Sequence, residues 1–237
     1  MILNLLESLL ARRKGTRRSD LPVVNPYCRE FEVNNWVISE FLIKRLVPIV
    51  GIHPFPVNEL LLMSSALCRI RPKHLFEWGT HLGKSARVFY ETSKYFGLNT
   101  TIHSIELPEE IHHVEHPGKQ RGAFVKHIQD VKLYEGDGLD VALKLGRSVH
   151  NQEPFLFFLD GDHRYESVVR ELLGILENFT SSSVLVHDTF YQSPESNYNV
   201  GPHEAINFVL RDRSNLYTTI SPETGLPGMT LIYRISV

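Results

Sequence analysis

Short apolar runs alternate with stretches of helical periodicity through the middle of the chain. Runs of strand length occur at 74–78, 101–106, 131–135, 155–160 and 183–187. Between them, apolar residues recur at helical spacing over 84–96, 121–129, 139–147 and 165–178. Strands that alternate with helices in this way are typical of a parallel, doubly wound sheet. The run FLFFL in the fourth strand is apolar on both faces, as a central strand of such a sheet should be.

The two ends of the chain add elements to this alternation. Helical patterns over 31–47 and 56–68 precede the first strand and predict a cap or an oligomer contact. After the fifth strand, the pattern predicts a helix at 203–211 and a terminal hairpin with strands at 216–220 and 229–235.

A chain of 237 residues is long enough for one sizeable core but too short for two ordinary domains with linkers. We therefore predict an α/β fold with a doubly wound, mostly parallel seven-stranded sheet. Residues 1–53 are expected to form an N-terminal extension with cap helices, and residues 54–237 the main domain.

A glycine turn connects the first strand to its helix. Gly79 and Gly83 lack a Cβ, so they can adopt positive φ and let the backbone approach a ligand closely. The helix that follows directs its free N–H groups at that ligand. Glu106 ends the second strand, where a carboxylate can accept hydrogen bonds from both hydroxyls of a ribose.

The glycine spacing indicates which cofactor the turn accepts. The chain has neither G-x-G-x-x-G, which seats a pyrophosphate, nor the G-x-x-x-x-G-K-[ST] phosphate cradle. Glu77, before the first glycine, suits a ligand with a cationic amino group. S-adenosylmethionine has that group, a ribose and no phosphate, so we expect it as the cofactor.

The pattern Glu77-x-Gly79-x-x-x-Gly83-x-Ser85 resembles motif I of class I S-adenosylmethionine-dependent methyltransferases. TIHSIEL resembles their second strand, and YEGDGLDVAL resembles the acidic turn near the adenine, with Asp137. FLFFLDGDHRYESVVREL is similar to the fourth strand and helix of the cephalosporin-hydroxylase-like family and of metal-dependent macrolide sugar O-methyltransferases. The resemblance covers about His74 to the C-terminus.

This resemblance implies a Rossmann-like methyltransferase sheet with one terminal strand inserted antiparallel. It also implies a set of cofactor-binding residues: Glu77, Gly79, Thr80, Gly83, Ser85, Glu106, Asp137, Gly138 and Asp160.

A divalent metal site, for Mg²⁺ or Mn²⁺, is predicted at the ends of the fourth and fifth strands. Asp160 ends the fourth strand and the pair His187-Asp188 ends the fifth, and adjacent strand ends lie about 5 Å apart. In the resembling enzymes an aspartate and an acidic or amide pair bind Mg²⁺, whereas here the pair contains an imidazole, which favours other metals. Three arrangements remain open: Asp160 and Asp188 bind the ion, His187 changes the metal, or no ion binds. His187 could also simply cap its strand through a backbone hydrogen bond.

His163 is the candidate general base. Methyl transfer to an alcohol needs a base, and neutral imidazole is suited to it near physiological pH. The histidine at this place in the resembling sugar methyltransferases has that role. Alternatively, His163 caps the following helix or orients Asp160.

Three further features have simpler interpretations. His112, His113 and His116 lack a known metal-ligand order, which favours a loop beside the cofactor. The proline-rich segment 53–56 is expected to fix the cap on the sheet. The basic cluster that follows a Leu-rich stretch near the N-terminus could contact a membrane surface or a partner, but a solvated tail is the simpler interpretation.

The net charge of −2 argues against nucleic acid as a partner and favours a small-molecule substrate. Cys28 and Cys68 are far apart without a secretory framework, which favours a cytoplasmic protein with reduced thiols. No run is long enough for stable membrane insertion, and a homo-oligomer could form through the N-terminal extension.

The sequence therefore predicts an O-methyltransferase that acts on a small hydroxylated metabolite, such as a sugar or a secondary-metabolite precursor, with the help of a divalent cation. A noncatalytic cofactor-binding protein with an altered metal site is the alternative. A hydroxylase is a third hypothesis, and it would require a second histidine to join His187 in a facial triad.

Overall fold

The computed structural model describes residues 32–111, 117–147, 153–196, 198–222 and 224–235. The basic N-terminal cluster and the three histidines at 112, 113 and 116 lie outside these residues. Among the described residues, no helix is long and apolar enough to cross a membrane.

Seven strands form one sheet, and their spatial order is β3-β2-β1-β4-β5-β7-β6. The strands are β1 His74–Trp78, β2 Thr101–Glu106, β3 Val131–Glu135, β4 Phe155–Leu159, β5 Ser182–His187, β6 Tyr217–Ile220 and β7 Met229–Arg234. The first five are parallel to one another, and β7 lies antiparallel between β5 and β6. The predicted seven-stranded, mostly parallel sheet is thus confirmed, including its antiparallel terminal strand.

Helices cover both faces of the sheet. They are α1 Asn35–Phe41, α2 Val47–Val50, α3 Val57–Ile70, α4 Lys84–Tyr95, α5 Gly138–Gly146, α6 Tyr165–Asn178 and α7 Gly201–Leu210. A π-helical turn, Leu42–Leu46, joins α1 to α2, and short 3₁₀ turns occur at Gly118–Gln120 and Pro194–Ser196. The predicted N-terminal helices are therefore present.

The core has two parts, one on each face of the sheet. Residues of α1, α2, α3 and α4 pack with one face, and residues of α5, α6 and α7 pack with the other. All five residues of β4 are buried, as its apolar sequence predicts. Because α1 to α3 share a core with the sheet, the cap helices are packed on one face of it.

The prediction of a helix at 121–129 is wrong. This stretch is a series of turns, because Gly122 has a left-handed φ of 64° and its N–H donates to the carbonyl of His81. The N–H of Phe124 likewise donates to the carbonyl of Leu82. The apolar side chains at helical spacing are Phe124, Val125 and Ile128, and they pack on the core from turns instead. The segment thus supports the glycine turn after β1.

Candidate active site

The glycine turn after β1 has backbone conformations and contacts that require glycine. Gly79 and Gly83 have φ of 89° and 82°. A Cβ on Gly79 would lie 2.0 Å from the carbonyl oxygen of Asp160, and one on Gly83 would lie 2.8 Å from Val125. Gly79 therefore holds the turn directly against the end of β4.

Glu77 lies beneath this turn and is 1% exposed. Its Oε1 accepts a hydrogen bond of 2.6 Å from Ser104 Oγ, which is also 2.7 Å from Thr80 Oγ1. Its Oε2 is buried and has no hydrogen-bond partner among the described residues. Burial raises the pKa of Glu77 to about 7, although the hydroxyls of Ser104 and Ser85 act in the opposite direction. An ammonium group at Oε2 would supply the missing partner, so the site fits a cationic ligand.

Glu106 ends β2 beside the glycine turn, as the sequence predicts. Its Oε2 accepts a hydrogen bond of 2.8 Å from the N–H of His81, and its Oε1 accepts one of 3.1 Å from the N–H of Leu107. Each carboxylate oxygen can accept a second hydrogen bond, so the group can still bind ribose hydroxyls.

Asp137 and Gly138 begin α5 at the end of β3. Asp137 Oδ1 accepts a hydrogen bond of 3.0 Å from the N–H of Asp140, and both carboxylate oxygens pair with Arg170 at 2.6 and 3.0 Å. Burial acts to raise the pKa of Asp137, but Arg170 and the helix N–H groups lower it overall. A Cβ on Gly138 would lie 2.3 Å from Trp78 Cγ, so Trp78 packs directly against the start of the helix. These contacts give both residues a structural role at the place where the cofactor role was predicted.

A chain of carboxylates and imidazoles lies at the ends of β4 and β5. His187 Nδ1 is 2.8 Å from Asp160 Oδ1, and His187 Nε2 is 3.2 Å from Glu59 Oε2. His163 Nε2 is 3.6 Å from Asp160 Oδ1, and its Nδ1 is 3.2 Å from Asp188 Oδ2. The structure thus brings together all four residues that the sequence predicted here and adds Glu59. The side chain of His187 is held by two carboxylates, rather than serving only as a backbone cap.

The electrostatics of this cluster follow from its alternating groups. Burial acts to lower the pKa of His187, but Asp160 and Glu59 raise it to about 10. Burial acts to raise the pKa of Asp160, but His187 and His163 lower it to about 2. The pKa of His163 is raised, because Asp160 and Asp188 outweigh its burial. The raised pKa of His187 favours its imidazolium form, so a cation that binds its Nδ1 has to displace a proton.

Glu59 was not among the residues that the sequence singled out. It lies in the first turn of α3 and is fully buried, and its Oε1 accepts a hydrogen bond of 2.8 Å from the N–H of Gly228. One feature of the sequence could have indicated it. Glu59 lies three residues before Leu62 and four before Met63, which places its carboxylate on the apolar face of the helix. A charge in that position must be paired.

Two other missed residues complete the site. Phe55 packs its ring edge-on against His187, with 5.0 Å between ring centroids. Tyr198 donates a hydrogen bond of 2.9 Å from its hydroxyl to Asp188 Oδ1. Neither residue belongs to a motif, because each reaches the site from a connecting segment.

The match to a protein family falls on this same region of the chain. Residues 76–189 match a family model described as a methyltransferase domain, and they include the glycine turn and the ends of β1, β2, β4 and β5. Residues 76–189 are therefore identified as a methyltransferase domain. No curated protein matches the sequence.

Solved structures of other methyltransferases share the fold. The SAH-bound methyltransferase PaMTH1 from Podospora anserina has a TM-score of 0.53 and 15% identity over 99% of this chain and 96% of its own. CalS11, a TDP-rhamnose 3'-O-methyltransferase of calicheamicin biosynthesis, has a TM-score of 0.54 and 17% identity over 82% and 85%. A cmcI structure described as Mg-SAM has a TM-score of 0.52 and 13% identity over 76% and 72%. At these identities the similarity establishes the fold alone.

Proposed function

We propose that this methyltransferase transfers the methyl group of S-adenosylmethionine to a hydroxyl of a small metabolite, such as a sugar or a secondary-metabolite precursor, with the help of a divalent cation. The observation that carries the proposal is the contact between Gly79 and Asp160, which joins the cofactor turn to the imidazole and carboxylate cluster. A methyl donor at the turn is therefore beside groups that can activate an acceptor oxygen.

Different residues around the glycine turn bind different parts of the cofactor. Glu77 Oε2 accepts the ammonium group, and Glu106 accepts the ribose hydroxyls. Gly79, Thr80, Gly83 and Ser85 form the turn and helix start that approach the cofactor, while Asp137 and Gly138 shape the start of α5 on the adenine side. Trp78 packs against both Gly138 and Gly161.

The cluster beyond Asp160 fits a divalent cation, because Asp160, His163 and His187 offer ligand atoms within 4.8 Å of one another. In the set expected from sequence, Asp160, His187 and Asp188 hold the ion and His163 takes the hydroxyl proton. A bound cation lowers the pKa of an oxygen attached to it, as it does for water. The protein's own contribution is to orient the imidazoles and to keep the Asp160 carboxylate ionised.

Two histidines and a carboxylate are also the donor set of iron oxygenases. We nevertheless assign methyl transfer, because the same residues border the glycine turn of a methyltransferase domain. CalS11, by its name, methylates a sugar hydroxyl, and its fold is similar to that of this chain. This favours a hydroxylated acceptor.

Metabolite fractions incubated with methyl-labelled S-adenosylmethionine test the proposal. We expect S-adenosylhomocysteine to form together with a labelled methyl ether, and we expect chelator to suppress both products. A label on nitrogen, sulfur or carbon would contradict the acceptor class. Full turnover of a metal-stripped sample would contradict the role of the cation.

A further inference from the structure

We propose that Asp160, His163 and His187 form a three-ligand site for a divalent transition metal, and that Glu59 and Asp188 orient the two imidazoles from outside it. This inference deepens the proposed function. The role of the ion in catalysis rests on that function, whereas the binding of the ion does not. It replaces Asp188 by His163 in the ligand set expected from sequence.

The first imidazole is His187. Its Nε2 faces Glu59 Oε2 at 3.2 Å, which leaves Nδ1 directed at Asp160 Oδ1 at 2.8 Å. Glu59 is fixed in turn, because it is fully buried and its other oxygen accepts the N–H of Gly228. A histidine that binds a metal usually donates its second N–H to a carboxylate, and Glu59 is placed to accept it.

The second imidazole, His163, repeats this arrangement. Its Nδ1 faces Asp188 Oδ2 at 3.2 Å, and Tyr198 donates to the other oxygen of Asp188. Its Nε2 is buried, has no hydrogen-bond partner among the described residues, and lies 3.6 Å from Asp160 Oδ1. With its Nδ1 proton donated to Asp188, His163 carries its lone pair on Nε2, which faces Asp160 and can bind a metal. Asp188 lies outside the group of ligand atoms within 4.8 Å of one another, and its two oxygens contact His163 and Tyr198.

The three ligand atoms are close enough together to bind one ion. The ligand atoms of Asp160, His163 and His187 lie within 4.8 Å of one another, and the two shorter separations from Asp160 Oδ1 are 2.8 and 3.6 Å. Neighbouring ligands of a six-coordinate ion with bonds of about 2.1 Å lie about 3 Å apart, so small side-chain rotations suffice.

The chemistry of the donors selects the metal. Two imidazole nitrogens and one carboxylate oxygen suit Fe²⁺, Mn²⁺, Co²⁺, Ni²⁺ or Zn²⁺, whereas Mg²⁺ prefers oxygen ligands and retains its waters. Three protein ligands leave open positions for water and for the acceptor oxygen. The site is thus selective against Mg²⁺ by ligand type.

Calorimetry and proton NMR with Co²⁺ test the ligand set directly. Each coordinated imidazole should give one strongly shifted, exchangeable N–H resonance, so the wild-type protein should show two. His163→Ala should lose one resonance and bind Co²⁺ more than about 100-fold more weakly. Asp188→Asn should keep both, with faster exchange of the His163 N–H and about 10- to 100-fold weaker binding. His127→Ala, at an exposed histidine, should match the wild type.

Fewer than two shifted resonances in the wild-type protein, or Mg²⁺ binding as tight as Co²⁺ binding, would overturn the assignment whether or not any variant folds. Wild-type Co²⁺ affinity in His163→Ala, combined with its loss in Asp188→Asn, would restore Asp188 as the ligand and His163 as the base. Titration of the same samples with S-adenosylhomocysteine keeps the two proposals apart, because its failure would contradict the proposed function alone.

Discussion

Glu77 presents a buried carboxylate oxygen that has no hydrogen-bond partner among the described residues. Its pKa of about 7 means that much of the ligand-free protein is protonated there at neutral pH. An ammonium ligand favours the ionised form and must therefore displace a proton at lower pH. The state of this single residue thus couples cofactor binding to pH.

Cofactor affinity should therefore fall as pH drops through the pKa of Glu77. Between about pH 7 and about pH 5.5 we expect S-adenosylhomocysteine to bind about tenfold more weakly or worse, because each pH unit below the pKa is worth about tenfold. Glu77→Gln cannot titrate, so it should bind weakly with little pH dependence. Calorimetric titrations across this range measure both, and an equally steep profile in Glu77→Gln would assign the effect to another group.

Gly79 offers a second test at this scale. An added Cβ would lie 2.0 Å from the carbonyl oxygen of Asp160, in addition to the strain of a φ of 89°. Gly79→Ala should lower the free energy of unfolding by at least about 3 kcal/mol. Gly97→Ala is the matched control, because Gly97 has a φ of 65° with open space at Cβ and should lose only about 1 kcal/mol. Similar losses in denaturant titrations of the two variants would show that the contact with Asp160 is unimportant.

Helix α6 carries a buried carboxylate, Glu171, that the proposed chemistry does not use. Burial raises its pKa from 4.5 to about 7, against the effects of Trp78 and Arg170. The folded state binds this proton more tightly than the unfolded state, so the contribution of Glu171 to stability is present below about pH 4.5. It is lost as pH rises to about 7.

Glu171→Gln should therefore stabilise the protein above neutral pH, by on the order of 2 kcal/mol, and have little effect near pH 4. Thermal unfolding at the two pH values measures the difference. Glu177→Gln, at a more exposed position of the same helix, should show no such contrast. A stabilisation that is equal at both pH values would exclude ionisation of Glu171 as its cause.

At the scale of elements, periodicity predicted strands and helices well where one face of an element meets the core. It failed at 121–129, where apolar spacing was helical but a left-handed Gly122 and hydrogen bonds to His81 and Leu82 form turns. The carbonyls that accept those hydrogen bonds belong to residues about 40 positions earlier in the chain, so the local sequence pattern could not reveal them. Glu59 was missed for the same reason, since its partner His187 is 128 residues distant.

At the scale of the whole molecule, the strand order and the parallel direction of the strands bring the site residues to one edge of the sheet. Asp160, His163, His187 and Asp188 could be placed together from sequence, because each lies at or shortly after the end of β4 or β5, which are neighbours in the sheet. Their pairing could not be predicted, because it depends on Glu59 from the cap and Tyr198 from the loop after β5. A homo-oligomer through the N-terminal extension stays a prediction, as does the boundary near residue 53.

Calorimetric titration with S-adenosylhomocysteine and with NAD tests the central claim most directly. We predict that the wild-type protein binds the first and not the second. Glu106→Ala should weaken binding by about 1.5–3 kcal/mol, because the ribose hydroxyls lose a charged acceptor. Glu153→Ala, beside the opposite end of β4, should match the wild type. Tight binding of NAD, or wild-type affinity in Glu106→Ala, would contradict the account.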